Sequence, residues 1–269
     1  MDNLLTRQRV HEQLLELKLK HAEQAVDHLC DESAERQTGY SEFLCQVLDA
    51  ELAQRRDRGT QMRLKLAHLP FQKTLEQFEF GFQPSIDQRQ VEELATLNFV
   101  AEGRNVVLLG PPGVGKTHLA VALAMKACLA GLSVYCTSGL ELARRLVASL
   151  ADDSLDKQFL ALTKCKLLII DELGYLPYER QQATLLFQLI ARRYERLSTI
   201  VTTNKGFAQW AEVFGGDAAV ASAILDRLLH HATIFNIRGA SYRLKDRQQA
   251  LGFSVETKPQ SLKGGERRP

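Results

Sequence analysis

The five cysteines of this chain (Cys30, Cys45, Cys128, Cys136 and Cys165) include no CxxC pair, which argues against paired-thiol metal ribbons and dithiol redox folds. Three of them lie in apolar stretches, where a thiol behaves as a small hydrophobe of a reducing compartment. No apolar run reaches the ~20 residues that a membrane-spanning helix needs. The amino terminus is charged and helical in pattern, unlike a signal peptide, so the expected location is cytoplasmic, with no membrane partner. The net charge is only +2, so any affinity for nucleic acid has to come from local patches. There is no internal repeat and no base-reading motif.

Apolar residues nevertheless make up 45% of the 269, enough for a real core and too many for a disordered chain. The pattern divides near residue 70. Residues 3–30 read as helix, with Leu14, Leu15, Leu17, Leu19, Ala22, Val26 and Leu29 near helical spacing. A polar break over 31–39 precedes a second helix, with Ser41 in the N-cap position and Leu44, Val47, Leu48 and Leu52 on one face. Residues 1–69 thus form a small all-helical module that buries little alone and is expected to pack on something. Pro70 and the aromatic-rich stretch 71–82 form a junction. Over 70–251 the pattern alternates: helix 86–102, strand 105–109, helix 116–130, strand 133–137, helices 139–150 and 154–163, strand 166–171, helix 179–196, strand 198–203, helix 217–231 and strand 233–237. This is an α/β pattern, and it builds a three-layer parallel sheet with helices on both faces. The end of the chain, 252–269, reads as a flexible basic tail.

The most informative segment is Gly110-Pro111-Pro112-Gly113-Val114-Gly115-Lys116-Thr117. It fits the P-loop pattern, with a strand before it and a helix after it. Glycines at 110, 113 and 115 permit the backbone angles that turn successive N–H groups inward. Those donors and the positive end of the following helix suit phosphate oxygens. Lys116 adds a mobile charge for the β and γ phosphates of ATP, and Thr117 offers a hydroxyl to Mg2+.

The run Leu167-Leu168-Ile169-Ile170 is a buried strand by composition and ends in Asp171-Glu172. Its carboxyl end is where ligands bind in open α/β sheets. Asp171 would hold Mg2+, directly or through water, and Glu172 would polarise a water for attack on the γ phosphate. A paired acid points to hydrolysis, whereas a small-molecule kinase needs only one. A third strand, Thr199-Ile200-Val201-Thr202-Thr203, ends at Asn204, which either orients the attacking water or simply starts a loop and caps the segment before Phe207.

Together the P-loop with Lys116-Thr117-His118-Leu119-Ala120, the Leu-Ile-Ile-Asp-Glu strand and the Thr-Thr-Asn strand resemble the AAA+ ATPases. Asp171-Glu172-Leu173-Gly174-Tyr175 and Gly239-Ala240-Ser241-Tyr242-Arg243 narrow the resemblance to the IstB and DnaC branch. IstB proteins help insertion-sequence transposases, and DnaC proteins load replicative helicases. The front helices and Gly-Tyr-Leu-Pro at 174–177 look more like IstB, so a helicase loader is the alternative. The resemblance makes Lys116 and Thr117 the Walker A pair, with 110–118 holding nucleotide. It makes Asp171 and Glu172 Walker B, Asn204 sensor 1, and Arg243 sensor 2. Arg227, otherwise a helix-surface arginine, becomes the finger that reaches a neighbouring subunit's ATP, which implies a homo-oligomer. Little chain follows the last strand, so any lid domain is minimal.

The same resemblance implies duplex DNA and a transposase of the same mobile element as partners. The DNA-contact candidates are Arg55, Arg56 and Arg58 in the front module, and Arg144, Arg145 and Lys157 before Walker B. Such clusters give salt-dependent, largely sequence-independent affinity. Any one of them also fits an ordinary solvated helix face. The front helices would serve self-association, partner contact or internal docking.

Overall fold

The computed structural model describes residues 2–244, so the tail expected at 252–269 lies outside the described residues. Three helices open the chain: α1 (Asp2–Glu16), α2 (Lys20–Arg36) and α3 (Tyr40–Leu66). The single helix expected over 3–30 is broken at Lys18, which takes the left-handed conformation at φ 58°. Leu19 N–H donates to Leu14 C=O at 2.8 Å and Lys18 N–H to Leu15 C=O at 2.9 Å, closing α1 in a Schellman motif without glycine. The polar break is confined to 37–39, because α2 runs on to Arg36, and α3 starts at Tyr40 with Gly39, not Ser41, as its N-cap.

Among the described residues, Ala22, Val26 and Val47 are the buried apolar residues of this helical cluster. Its helices are tied instead by polar clasps. Glu51, 5% exposed, accepts from His21 N–H at 2.9 Å and from Arg55 Nε at 2.8 Å. The carboxyl end of α3 is docked on the rest of the chain: Arg63 Nε donates to Cys128 C=O at 2.9 Å, and Ala67 C=O accepts from Cys136 N–H at 2.8 Å.

A 3-10 turn at Phe80–Phe82 leads to α4 (Gln88–Leu94) and α5 (Asn98–Ala101), followed by β1 (Asn105–Leu109) and α6 (Lys116–Leu129). The continuous helix expected over 86–102 is interrupted, with Leu97 left-handed at φ 66° between α4 and α5. Then come β2 (Val134–Ser138), α7 (Gly139–Ala151), α8 (Leu155–Lys164), β3 (Leu167–Asp171), α9 (Arg180–Arg193), β4 (Ser198–Thr203), α10 (Trp210–Val213), α11 (Ala218–Leu229) and β5 (Ala232–Asn236).

The five strands are all parallel, in the order β2-β3-β4-β1-β5. Strand alternation feeds two cores, as a sheet covered on both faces requires. Leu167 and Ile169 point into one, with Val106, Leu108 and Leu119; Leu168 and Ile170 point into the other, with Leu142, Phe159 and Trp210. This is the three-layer arrangement expected from the sequence. The strand order also places the site. From β1 the chain crosses through α6 to the far edge at β2, and from β4 it crosses back past β1 to β5. The carboxyl ends of β3, β4 and β1 therefore lie side by side at the point where crossovers diverge. Among the described residues no helix is long and apolar enough to cross a membrane. Cys128, Cys136 and Cys165 are buried, and all five cysteines are free thiols.

Candidate nucleotide-binding site

The loop between β1 and α6 wraps the amino terminus of α6. Gly113 and Gly115 have φ of 83° and 94°, which L side chains rarely adopt. Both are also pressed from outside. A Cβ on Gly113 would collide with the Ser241 side chain, and one on Gly115 would lie 2.6 Å from Phe78. The loop therefore tolerates no side chain at these two positions, as a backbone that is to cradle phosphate oxygens requires. Lys116 Nζ donates to the loop's own Gly110 and Pro111 carbonyls, each at 2.8 Å. Burial pushes this ammonium below its ordinary range, against the pull of Asp171 and Glu172, and Arg243 pushes in the same direction as burial. A half-buried cation whose hydrogen bonds among the described residues go to two carbonyls is poised for a stronger, anionic acceptor.

Register brings the strand ends together. Ile170 pairs with Val201 across β3 and β4, and Leu108 with Thr202 across β1 and β4. Thr117 Oγ1 donates to Asp171 at 2.9 Å (Oδ1) and 3.2 Å (Oδ2). Thr202 Oγ1 donates to Asp171 Oδ1 at 2.5 Å and accepts the Glu172 N–H at 2.9 Å. Glu172 is left-handed at φ 54° and exposed, so its carboxylate stands clear of the strand end. Hydroxyl and carboxylate oxygens at this spacing are the hard donors that Mg2+ prefers, and the cradle of N–H groups with Lys116 fits a triphosphate. Asn204, Arg243 and His118 all line the same cleft. Pro111 and Pro112 sit exposed at the tip of the loop, and Val114 is buried beneath it.

The roof of the cleft carried no functional expectation. Residues 71–82, read from sequence as a junction, fold over the P-loop together with Gln83. Phe78 packs against His118 with ring centroids 5.2 Å apart, and His118 Nε2 lies 2.8 Å from Thr74 C=O. Burial pushes the His118 imidazole below its ordinary value, as does Lys73. The closing segment 239–243 latches onto this roof. Tyr242 N–H donates to Gly113 C=O at 2.9 Å and its hydroxyl to Glu79 at 2.8 Å, while Gln83 Nε2 donates to Ala240 C=O at 2.9 Å. The aromatic density of 71–82 was the available signal that this stretch covers something.

Arg227 is not in this cleft. It sits near the carboxyl end of α11, where the Asn105 amide donates to Leu228 C=O at 3.1 Å. Asn105 begins β1 and the P-loop follows its end, so four strand steps, roughly 13 Å, separate the two edges. The guanidinium lies 4.9 Å over the Phe187 ring and donates to Ala223 C=O at 2.9 Å.

The basic candidates fall into two groups. Arg55 pairs with Glu51 and also donates to Lys18 C=O at 3.3 Å, and Arg145 is bonded to the Tyr135 hydroxyl. These two are engaged in holding the fold. Arg55 is nevertheless exposed, as are Arg56, Arg58, Arg144 and Lys157.

Comparison with known proteins bears on this arrangement. The family described as IstB-like ATP binding protein matches residues 12–250. The insertion sequence IS21 ATP-binding protein of Pseudomonas aeruginosa is 49% identical over 246 residues, 91% of this chain and 92% of that one. That of IS5376 from Geobacillus stearothermophilus is 40% identical, over 90% of this chain and 96% of its own. Among solved structures, DnaI aligns with a TM-score of 0.52 at 25% identity, over 62% of this chain and 92% of that one. AMPPCP-bound DnaA from Aquifex aeolicus aligns with a TM-score of 0.54 at 18% identity, over 71% and 58%, a likeness of fold alone. The chain belongs to the IstB-like ATP binding protein family and has the AAA+ fold.

Proposed function

We propose that this protein is a Mg2+-dependent ATPase of a mobile element that assembles as a homo-oligomer on duplex DNA and recruits or activates the element's transposase. The observation that carries the catalytic part is the convergence of Thr117, Asp171 and Thr202 at three adjacent strand ends, beneath a glycine loop whose lysine donates to the Gly110 and Pro111 carbonyls. Support for the biological part comes from the two insertion-sequence relatives, which favour a transposition helper over a helicase loader.

In this reading Lys116 leaves the Gly110 and Pro111 carbonyls and donates to phosphate oxygens. The ion, when bound, neutralises phosphate charge. Thr117 and Asp171 supply its protein oxygens, and their present hydrogen bond holds both groups in place. Glu172 accepts the proton of the attacking water, with Asn204 beside it to fix that water's orientation. Arg243 lies on the same cleft and stabilises charge developing at the γ phosphate. Arg227, on the other edge of the sheet, serves the cleft of a neighbouring subunit. Arg56, Arg58, Arg144 and Lys157 supply exposed charge for phosphate contacts, with affinity that falls as salt rises.

The test is assembly on a duplex with Mg-ATP, followed by sedimentation. Wild type is expected to form multimers on DNA only with nucleotide, and Lys116→Ala to remain unassembled. Assembly of Lys116→Ala at wild-type nucleotide concentrations overturns the reading.

A further inference from the structure

A second cluster of metal-ligating side chains lies on the amino-terminal edge of the sheet, away from the P-loop. Glu195, His230 and His231 each offer one ligand atom, and these atoms lie within 4.8 Å of one another. We propose that Glu195, His230 and His231 form a binding site for a transition-metal dication of the zinc class.

The distances carry the proposal. His230 Nδ1 is 3.4 Å and His231 Nε2 3.7 Å from the same Glu195 Oε1. A tetrahedral zinc ion with bonds of ~2.0–2.1 Å holds its ligand atoms ~3.3–3.4 Å apart. Two of the three spacings are therefore already close to the required value, and the third closes by rotation of side chains that are all exposed. The backbones beneath them are fixed. Glu195 sits in the turn between α9 and β4; His230 caps α11, its N–H donating to Asp226 C=O at 3.1 Å; His231 C=O accepts from Asn105 N–H at 2.9 Å.

The donor set selects the ion. Two imidazoles and one carboxylate suit zinc, cobalt or nickel, whereas the oxygen-only donors of Thr117 and Asp171 suit Mg2+. Exposure leaves water free to complete the coordination. The Tyr194 hydroxyl, 2.7 Å from His230 Nδ1, has to yield that nitrogen when the ion enters. A bound ion would tie the end of α11 to the α9–β4 turn.

The experiment uses the full, untagged chain in excess Mg2+ without nucleotide, titrated with Co2+. Cobalt reports tetrahedral ligation through its visible d–d bands and thiolate ligation through a near-ultraviolet charge-transfer band. The expected result is one equivalent bound with d–d bands and no thiolate band. Glu195→Gln and His231→Asn should each weaken that binding at least tenfold. Because all three side chains are exposed, the melting temperature of either variant without metal should match wild type, whereas Zn2+ should raise it for wild type alone. Unchanged Co2+ affinity in the variants, a thiolate band in place of the expected spectrum, or no binding at millimolar Co2+ overturns the proposal.

Discussion

Thr202 holds Asp171 from the neighbouring strand: its hydroxyl donates to the carboxylate at 2.5 Å and at the same time accepts the amide of Glu172 at 2.9 Å. One fully buried hydroxyl thus fixes both acids of the strand end, including the left-handed backbone that turns Glu172 outward. Thr202→Val keeps the shape and removes the hydroxyl, leaving the Glu172 N–H without a partner, at a cost of about 1–3 kcal/mol. Nucleotide affinity should stay within a few-fold of wild type, while kcat for ATP hydrolysis falls about 10- to 100-fold and the Mg2+ requirement rises. Thr202→Ser should restore turnover. Equal loss in the Ser and Val variants would remove the hydroxyl from this role.

The P-loop glycines make a second prediction, because their strain has two separable sources. Gly113→Ala faces both a positive φ and the Ser241 side chain, so it should abolish nucleotide binding measured by calorimetry. Adding Ser241→Gly removes the collision but not the backbone cost of ~1–2 kcal/mol. The double variant should therefore recover binding in part, to about a tenth of wild-type affinity. Full recovery would show that the left-handed angle is relaxed in solution.

Two histidines set opposite pH dependences. His118 has its imidazole pushed below the ordinary 6.5 by burial, so its contribution to stability is complete above that pH and is lost as pH falls through the depressed value. His11, bridging Glu23 and Asp27 at 3.0 Å each, is raised by those partners. Its contribution is complete below 6.5 and lost as pH rises through the raised value. Melting curves between pH 5 and pH 8 should show His118→Gln losing less stability than wild type on acidification. His11→Gln should lose less on going alkaline. Parallel curves for wild type and both variants would contradict these assignments.

Much of this site was legible because its chemistry sits in short local motifs. The P-loop, the acids after β3 and the bounds of β4 at Ser198–Thr203 follow from residues adjacent in sequence. The failures have a common physical form. Lys18 closes α1 and Leu97 begins α5 in left-handed conformations without glycine, which propensity does not reveal. The roof over the cleft joins Glu79 to Tyr242 and Gln83 to Ala240, contacts more than 150 residues apart in sequence. No periodicity encodes such a closure. The partners of Arg55 and Arg145, Glu51 with Lys18 C=O and Tyr135, are likewise set only by the fold.

Arg227 gives the most discriminating prediction. Its guanidinium lies over Phe187, and the start of β1 beside it is one strand length from the P-loop, so it cannot act on its own subunit's phosphates in this conformation. Arg227→Ala should bind nucleotide within about twofold of wild type, because its own cleft is untouched. Turnover should fall by about 10³-fold or more, the usual range for a lost finger. Glu172→Gln should bind nucleotide and also fail to turn over. The two inactive variants carry complementary defects: one retains an intact cleft, the other an intact arginine. Mixed at equal concentration on duplex DNA, they should regain a measurable fraction of wild-type hydrolysis, since Glu172→Gln subunits present Arg227 to the sound clefts of their neighbours. Recovery that rises with the share of Glu172→Gln and then declines would identify a shared site. A mixture that stays as inactive as its components would place the function of Arg227 within its own subunit.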